Sequence, residues 1–191
     1  MNKPTPIGEE KIVFKGLMFE VVNQLFREGD REVTYKKVRR APGTRLIIIK
    51  DKKILLTKEY RTELNGFDYR LPGGKVFDSL DEYNLALKEN DDILVHAIKG
   101  AKKECLEETG LVPITINHFH TTSPGAMVQW DLFYFIIDNF ENHQDGQQTE
   151  DSEIIEPLWR TYREVKQMCV NGEIKEDRTV GVLLRFILQN E

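Results

Sequence analysis

The stretch Asp92–Gly110, DILVHAIKGAKKECLEETG, constrains the fold more than any other part of the chain. Leu94, Ala97, Ile98, Ala101 and Cys105 recur at the three- and four-residue spacing that makes one apolar stripe on an α-helix. Asp92 is a suitable N-cap, and Gly110 is the residue type that stops a helix in the left-handed conformation. Glu104, Glu107 and Glu108 stand in the last turns. At about 100° per residue, Glu108 lies about 40° to one side of Glu104 and Glu107 about 60° to the other, so the three share a face. Like charges four residues apart cost about 0.2–0.5 kcal/mol per pair, and anions are disfavoured at the negative end of a helix. A bound cation is the natural compensation. Because the glutamates border the apolar stripe, they sit where the helix leaves the core and meets a cleft.

The preceding segments read mostly as strands. LMFEVVNQLF and REVTYKKV are β-rich runs separated by Glu28-Gly29-Asp30, so residues 11–40 form a hairpin or small antiparallel sheet behind a loose N-terminal arm. TRLIIIK and KILLTKEY flank Asp51-Lys52 and are apolar enough for an antiparallel pair buried in a sheet. GFDYRLPGGKVF is a strand broken at Leu71-Pro72-Gly73-Gly74, where residues without Cβ let backbone groups approach a ligand. Residues 79–91 are acidic and poorly periodic.

After Gly110, ITINHFHTT alternates and VQWDLFYFIID is a strongly apolar strand, with Ser123-Pro124-Gly125 between them. DNFENHQDGQQTEDSE is a polar loop, long enough to act at a site rather than merely connect. IIEPLWRTY reads as a short last strand, REVKQMCVNG as a helix ending at Gly172, and RTVGVLLRFILQ as a final amphipathic helix.

With 191 residues, 40% of them hydrophobic and 31% charged, one compact domain with a small appended piece is expected. No apolar run is long enough to span a bilayer, and MNKPTPIGEE lacks the apolar core of a secretory signal, so a soluble cytoplasmic protein with no membrane partner is expected. Two cysteines make no disulfide framework, and Cys105 and Cys169 are read as reduced packing residues. The net charge of −5 argues against general nucleic-acid binding but leaves room for a nucleotide substrate met by a metal and a few arginines.

GGK followed by KECLEETGL resembles the Nudix box, in which a Gly and a later Glu precede R-E-U-x-E-E-x-G-U, with U bulky and apolar. The second half matches from Lys103 to Leu111, with Lys103 where the pattern has Arg. The first half fits at Gly74, but Gly74 lies 29 positions before Lys103, which leaves 15 extra residues as an insertion. The pattern's first Glu falls on Leu80 counted forward or Val95 counted backward, and Asp78, Asp81, Glu82 and Asp92 are the acids that could replace it. The resemblance implies an α/β fold: a Nudix-type α/β/α sandwich with a mixed β-sheet over residues 41–191, an insertion at about 79–91, and an N-terminal antiparallel β extension over residues 1–40. It also implies hydrolysis of a diphosphate with Mg²⁺, or alternatively Mn²⁺, as cofactor. Glu104, Glu107, Glu108 and the carbonyl of Gly73 are then the metal ligands. Glu107 and Glu108 are also catalytic, Lys103 braces the carboxylates more loosely than an arginine would, and Glu150 or, preferably, Glu153 on the late loop activates water.

Residues 11–61, with RRAPG and KEYR, and the turn at Ser123-Pro124-Gly125 resemble the ADP-ribose and nucleoside-diphosphate-sugar pyrophosphatase branch. That resemblance implies a small-molecule nucleotide substrate, cleaved to a nucleoside monophosphate and a sugar phosphate. It implies a homodimer exchanging N-terminal sheets. Arg61 is a candidate phosphate contact. Arg70 and Gln129 are candidate substrate contacts at two positions where the branch commonly has Glu. A nucleoside triphosphate or capped-RNA hydrolase and a Nudix-like binding module are the alternatives. Phe14, Phe19 and Tyr35 are read as core before base-stacking residues, and His118 and His120 as neighbours on one strand face without a third metal ligand. His96 and His143 carry no signal.

Overall fold

The computed structural model describes residues 3–125, 127–148 and 154–190, except the side chain of Glu63. Strands β1 (Thr5–Lys15), β2 (Glu20–Glu28) and β3 (Arg31–Arg39) form an antiparallel sheet with β2 in the middle. Gly29, at φ +62°, makes the reversal between β2 and β3. Strands β4 (Gly43–Lys50) and β5 (Lys53–Arg61) meet across Asp51 and Lys52, both at positive φ, the backbone that matches a tight hairpin to the twist of its strands. A 3₁₀ turn (Thr62–Leu64) leads to β6 (Gly66–Arg70), which returns along β5.

Residues 79–91, unperiodic as sequence, hold helix α1 (Leu80–Glu89), capped by the Ser79 hydroxyl and closed at Asn90 in the left-handed conformation. Leu80, Tyr83 and Ala86 are its buried residues, and Tyr83 and Ala86 join Phe77, Ala41 and Val76 in a small cluster. Asn84 donates to Glu20 at 3.1 Å, and Lys15 pairs with Asp81, so α1 ties the N-terminal sheet to the rest of the chain. Helix α2 (Ile93–Thr109) starts at Asp92, whose carboxylate accepts from Leu94 N, and ends at Gly110, φ +69°.

Strands β7 (Leu111–Pro113), β8 (Asn117–Thr122), β9 (Val128–Gln129), β10 (Leu132–Ile137), β11 (Phe140–Asn142) and β12 (Ile155–Thr161) follow. Helices α3 (Tyr162–Val170) and α4 (Asp177–Asn190) close the chain. The central sheet runs β12-β5-β4-β10-β8, with β6 also on β5. It is mixed, because β10 is parallel to β4 while its other pairings are antiparallel. β9 joins β3 in the N-terminal sheet, and β7 pairs with β11.

Alternation sorts the core into two layers. Leu46, Ile48, Leu55, Phe133, Phe135 and Ile137 meet Ala97, Ala101 and Cys105 of α2 on one face. Ile47, Ile54, Leu56, Leu132 and Tyr134 meet Val165, Met168, Val182, Leu183 and Phe186 of α3 and α4 on the other. No helix among the described residues is long and apolar enough to cross a membrane.

Candidate functional site

Helix α2 passes directly behind the Pro72-Gly73-Gly74 bend. Gly73 N donates to Glu108 Oε2 at 2.7 Å, and Lys75 N donates to Glu104 Oε1 at 3.0 Å. The bend is stitched to β4 as well: Leu46 N donates to Pro72 O at 2.8 Å and Thr44 N to Gly74 O at 2.9 Å. A side chain at either glycine would collide with a neighbour. A Cβ on Gly74 would sit 2.2 Å from Glu104 Oε1, and one on Gly73, at φ +138°, would sit 2.3 Å from Thr44 O.

The negative end of α2 is met by the described part of the polar loop. His143 N donates to Gly110 O at 2.8 Å, Gln148 N to Glu107 O at 2.9 Å, and the Gln147 amide to Glu108 O at 2.6 Å. These bonds satisfy carbonyls that a helix end leaves open. Glu150 and Glu153, the candidate bases, lie outside the described residues.

A further carboxylate at the site, Glu59, is one that sequence reasoning missed. Leu55 of β5 belongs to the core layer beneath α2, and period-two alternation carries Thr57, Glu59 and Arg61 onto the same face. Glu59 is 9% exposed and accepts from the Thr57 hydroxyl at 2.8 Å, with Arg61 Nη1 3.5 Å away. Its position two residues before Arg61 was the readable signal. Glu108, 8% exposed, holds its proton to a pH well above the usual carboxylate range. Burial is the main cause, and the charges of Glu59 and Glu104 add to it, against the Gly73 N–H and Arg45.

Basic groups lie near the bend as well. Arg45 Nη1 donates to Thr44 O at 2.8 Å and to Gly73 O at 3.3 Å. The guanidinium carbons of Arg40 and Arg178 lie 4.4 and 4.2 Å from the Trp130 ring centre. Burial, then the charges of Arg45, Arg178 and Arg61, lower the pKa of Arg40, so four guanidiniums act on one region. Of the four, sequence reasoning singled out Arg61 alone.

The other expected site residues are distributed differently. Lys103, 61% exposed at its side chain, pairs with Glu107, 37% exposed, at 3.8 Å. Lys103 thus stands beside one of the expected catalytic carboxylates, while at the bend itself an arginine from β4 donates to Gly73 O. Arg70 is bound to buried Asp68 at 2.8 Å, and Gln129 donates to the Tyr83 hydroxyl at 3.4 Å. Among the acids that could replace the first box Glu, Asp81 pairs with Lys15, Glu82 accepts from Asp78 N, and Asp92 caps α2.

His118 and His120 do not share a face. The register of β8 on β10 skips Phe119, which turns His118 towards Phe133 and Phe135 and leaves His120 against Arg185 of α4. Phe14, Phe19 and Tyr35 are exposed rather than core, as is nearly all of β1. Cys105 and Cys169 are buried, and burial pushes both thiols up to about 11, which suits packing rather than nucleophilic chemistry.

Among the described residues, no three His, Cys, Asp or Glu side chains converge into a ready metal-binding group. The donor chemistry nevertheless fits a hard divalent ion. Glu104, Glu108, Glu59 and the Gly73 carbonyl offer only oxygen, and the mutual repulsion that raises the Glu108 pKa is what a cation would relieve.

No family model matches the sequence, and no curated protein matches it significantly. The crystal structure of an ADP compounds hydrolase is similar, with a TM-score of 0.70 over 100% of this chain and 94% of that one, at 14% identity. At that identity the likeness speaks for architecture, and it agrees with a mixed sheet covered by α2 on one face and by α3 and α4 on the other. The chain thus has the fold of a Nudix-type α/β/α sandwich.

Proposed function

We propose that this protein is a Mg²⁺-dependent Nudix pyrophosphohydrolase that cleaves the diphosphate of a nucleoside-diphosphate-linked small molecule, ADP-ribose or a nucleotide sugar. The observation that carries this reading is the convergence of Glu104 and Glu108, from one helix, on the backbone of Gly73 and Lys75, with Glu59 beside them and four arginines nearby. The similarity to an ADP compounds hydrolase supports the same class. Glu104, Glu108 and the Gly73 carbonyl would hold Mg²⁺ or Mn²⁺, with Glu59 and Glu107 assisting. When bound, the ion supplies positive charge against the diphosphate oxygens and eases deprotonation of the attacking water.

The chain's own groups do the rest. Arg61, Arg40 and Arg178 supply planar donors suited to phosphate oxygens and hold the diphosphate near the carboxylates. Water forms a bond to one phosphorus as the bridging oxygen leaves with the other phosphate, and the proton passes to a carboxylate, with Glu108, Glu107, Glu150 and Glu153 as candidates. The products are a nucleoside monophosphate and a sugar phosphate.

A second reading, a nucleotide-binding module of this fold without turnover, is favoured by the exposure of Lys103 and by the other tasks taken by Asp81, Glu82 and Asp92. The deciding experiment incubates the protein and Mg²⁺ with ADP-ribose, nucleotide sugars, dinucleotides, nucleoside triphosphates and capped RNA, and identifies products by chromatography. AMP with ribose 5-phosphate, or the equivalent pair from a nucleotide sugar, is expected. Glu104→Gln and Glu108→Gln are expected to abolish that turnover while the protein stays folded. Inorganic pyrophosphate or a freed RNA 5′-monophosphate would move the assignment to the triphosphate and capped-RNA class. Tight binding with no product would leave the binding module.

A further inference from the structure

A line of contacts enters the bend from the α4 side of the sheet, and the carboxylate chemistry makes no use of it. Glu176, immediately before α4, accepts from the Thr179 hydroxyl at 2.7 Å and from Arg178 Nη2 at 3.0 Å. Arg178 is itself fixed, since its Nη1 donates to Trp130 O at 2.9 Å. The Glu176 carboxylate lies 3.4 Å from Arg45 Nε, and Arg45 Nη1 donates to Gly73 O at 3.3 Å. Both side chains are largely buried, at 10% exposure for Arg45 and 19% for Glu176.

The Gly73 residue is therefore held through both of its backbone polar groups: its N–H by Glu108 of α2 and its C=O by Arg45 of β4. A glycine at φ +138° has no side chain to restrict it, so the direction of its carbonyl is set by Arg45 together with the Gly74 N–H of the same peptide, which donates to the Thr44 hydroxyl at 3.3 Å. A neutral residue at position 45 would leave that carbonyl without its cationic donor. A neutral residue at position 176 would leave Arg45 without the anion that anchors its other edge. A guanidinium can span two acceptors with separate N–H groups, whereas an ammonium is a single point of charge.

We propose that Arg45 and Glu176 are positioning residues, linking the start of α4 to the Gly73 peptide and setting the direction of its carbonyl at the site. The catalytic consequence rests on the hydrolase reading above; the structural consequence does not. Glu176→Gln preserves the shape of the contact and removes its charge. Arg45→Met removes the donor, and Arg45→Lys restores charge without the fork.

Amide hydrogen exchange on the full-length variants reads the bend directly at Gly73, Gly74 and Lys75. We expect exchange at these amides to rise by about tenfold or more in Arg45→Met and Glu176→Gln, with partial recovery in Arg45→Lys, while the β10 amides stay protected as in the wild type. With Mg²⁺ and the hydrolysed substrate, kcat is expected to fall about 100-fold with KM within about threefold, since misplacing a donor by about 1 Å costs that much. Unchanged exchange at the bend in both variants overturns the proposal, as does a rise spread equally over β10, which marks general destabilisation. Should Arg45→Met fail to fold, Glu176→Gln decides by the same two readouts. A wild type that hydrolyses nothing, with exchange responding as expected, would remove the hydrolase reading and leave the positioning role standing.

Discussion

A methyl group at Gly74 and one at Gly73 would meet different obstacles. At Gly74 the obstacle is the Glu104 carboxylate, the free end of a flexible side chain, which can swing away. Gly74→Ala is expected to keep stability within about 1 kcal/mol while turnover drops about 100-fold, because Glu104 must leave Lys75 N. At Gly73 the obstacle is the Thr44 backbone, and φ is already +138°, so Gly73→Ala is expected to cost at least about 1–3 kcal/mol in denaturant unfolding. Equal stability of the two variants would show that the bend is not held as described. Glu108 adds a pH signature. Its folded pKa is raised by burial and by Glu59 and Glu104, so between the unfolded value of about 4.3 and the folded one the unfolded chain binds fewer protons. The stability is fully present below about pH 4.3 and is lost as pH rises through the folded pKa. The melting temperature of metal-free protein should therefore fall more steeply from about pH 5 to about pH 8 in the wild type than in Glu108→Gln, and parallel curves would remove Glu108 from this role.

Among the elements, α2 was the most legible because every local signal agreed: apolar spacing, Asp92 as cap and Gly110 as stop. Its puzzle, three glutamates at a negative end, has a tertiary answer. Donors at His143, Gln147 and Gln148 satisfy the last carbonyls, and the Glu104 and Glu108 carboxylates accept from amides of the bend instead. Gln147→Ala deletes the bonds to Glu108 O and Ile155 O, and a loss of about 1 kcal/mol in chemical denaturation is expected, confined in hydrogen exchange to the α2 end and β12. Helix α1 was hidden because its burial is narrow. Tyr83 and Ala86, with Leu87 beside them, face a small cluster rather than either main core layer, and Leu85 is left exposed. The strand-face reading of His118 and His120 failed at a single skipped residue, which no period-two count can foresee.

For the whole molecule, the unbalanced feature is the N-terminal sheet. Ile12, Val13, Phe14, Met18, Phe19 and Tyr35 are exposed there, and Leu17 at the hairpin is 90% exposed. Uncovered apolar surface on this scale marks an interaction site. A homodimer in which a second copy covers this sheet predicts a solution mass of twice 22.3 kDa by light scattering, shifting to the single-chain mass in a Phe14→Ser, Leu17→Ser double variant. A wild type of single-chain mass at all concentrations would reject the dimer.

The sequence by itself determined which segments become the principal strands and helices, and that Glu104 and Glu108 stand together on one helix face, since such relations lie within a few residues and obey the periods 3.6 and 2. Only the tertiary structure decided that Glu59, Arg45 and Glu176 join them at the bend. Arg45 and Glu59 stand on the paired strands β4 and β5, Glu176 comes 131 residues after Arg45, and burial between packed layers is what turns such separate charges into strongly coupled neighbours.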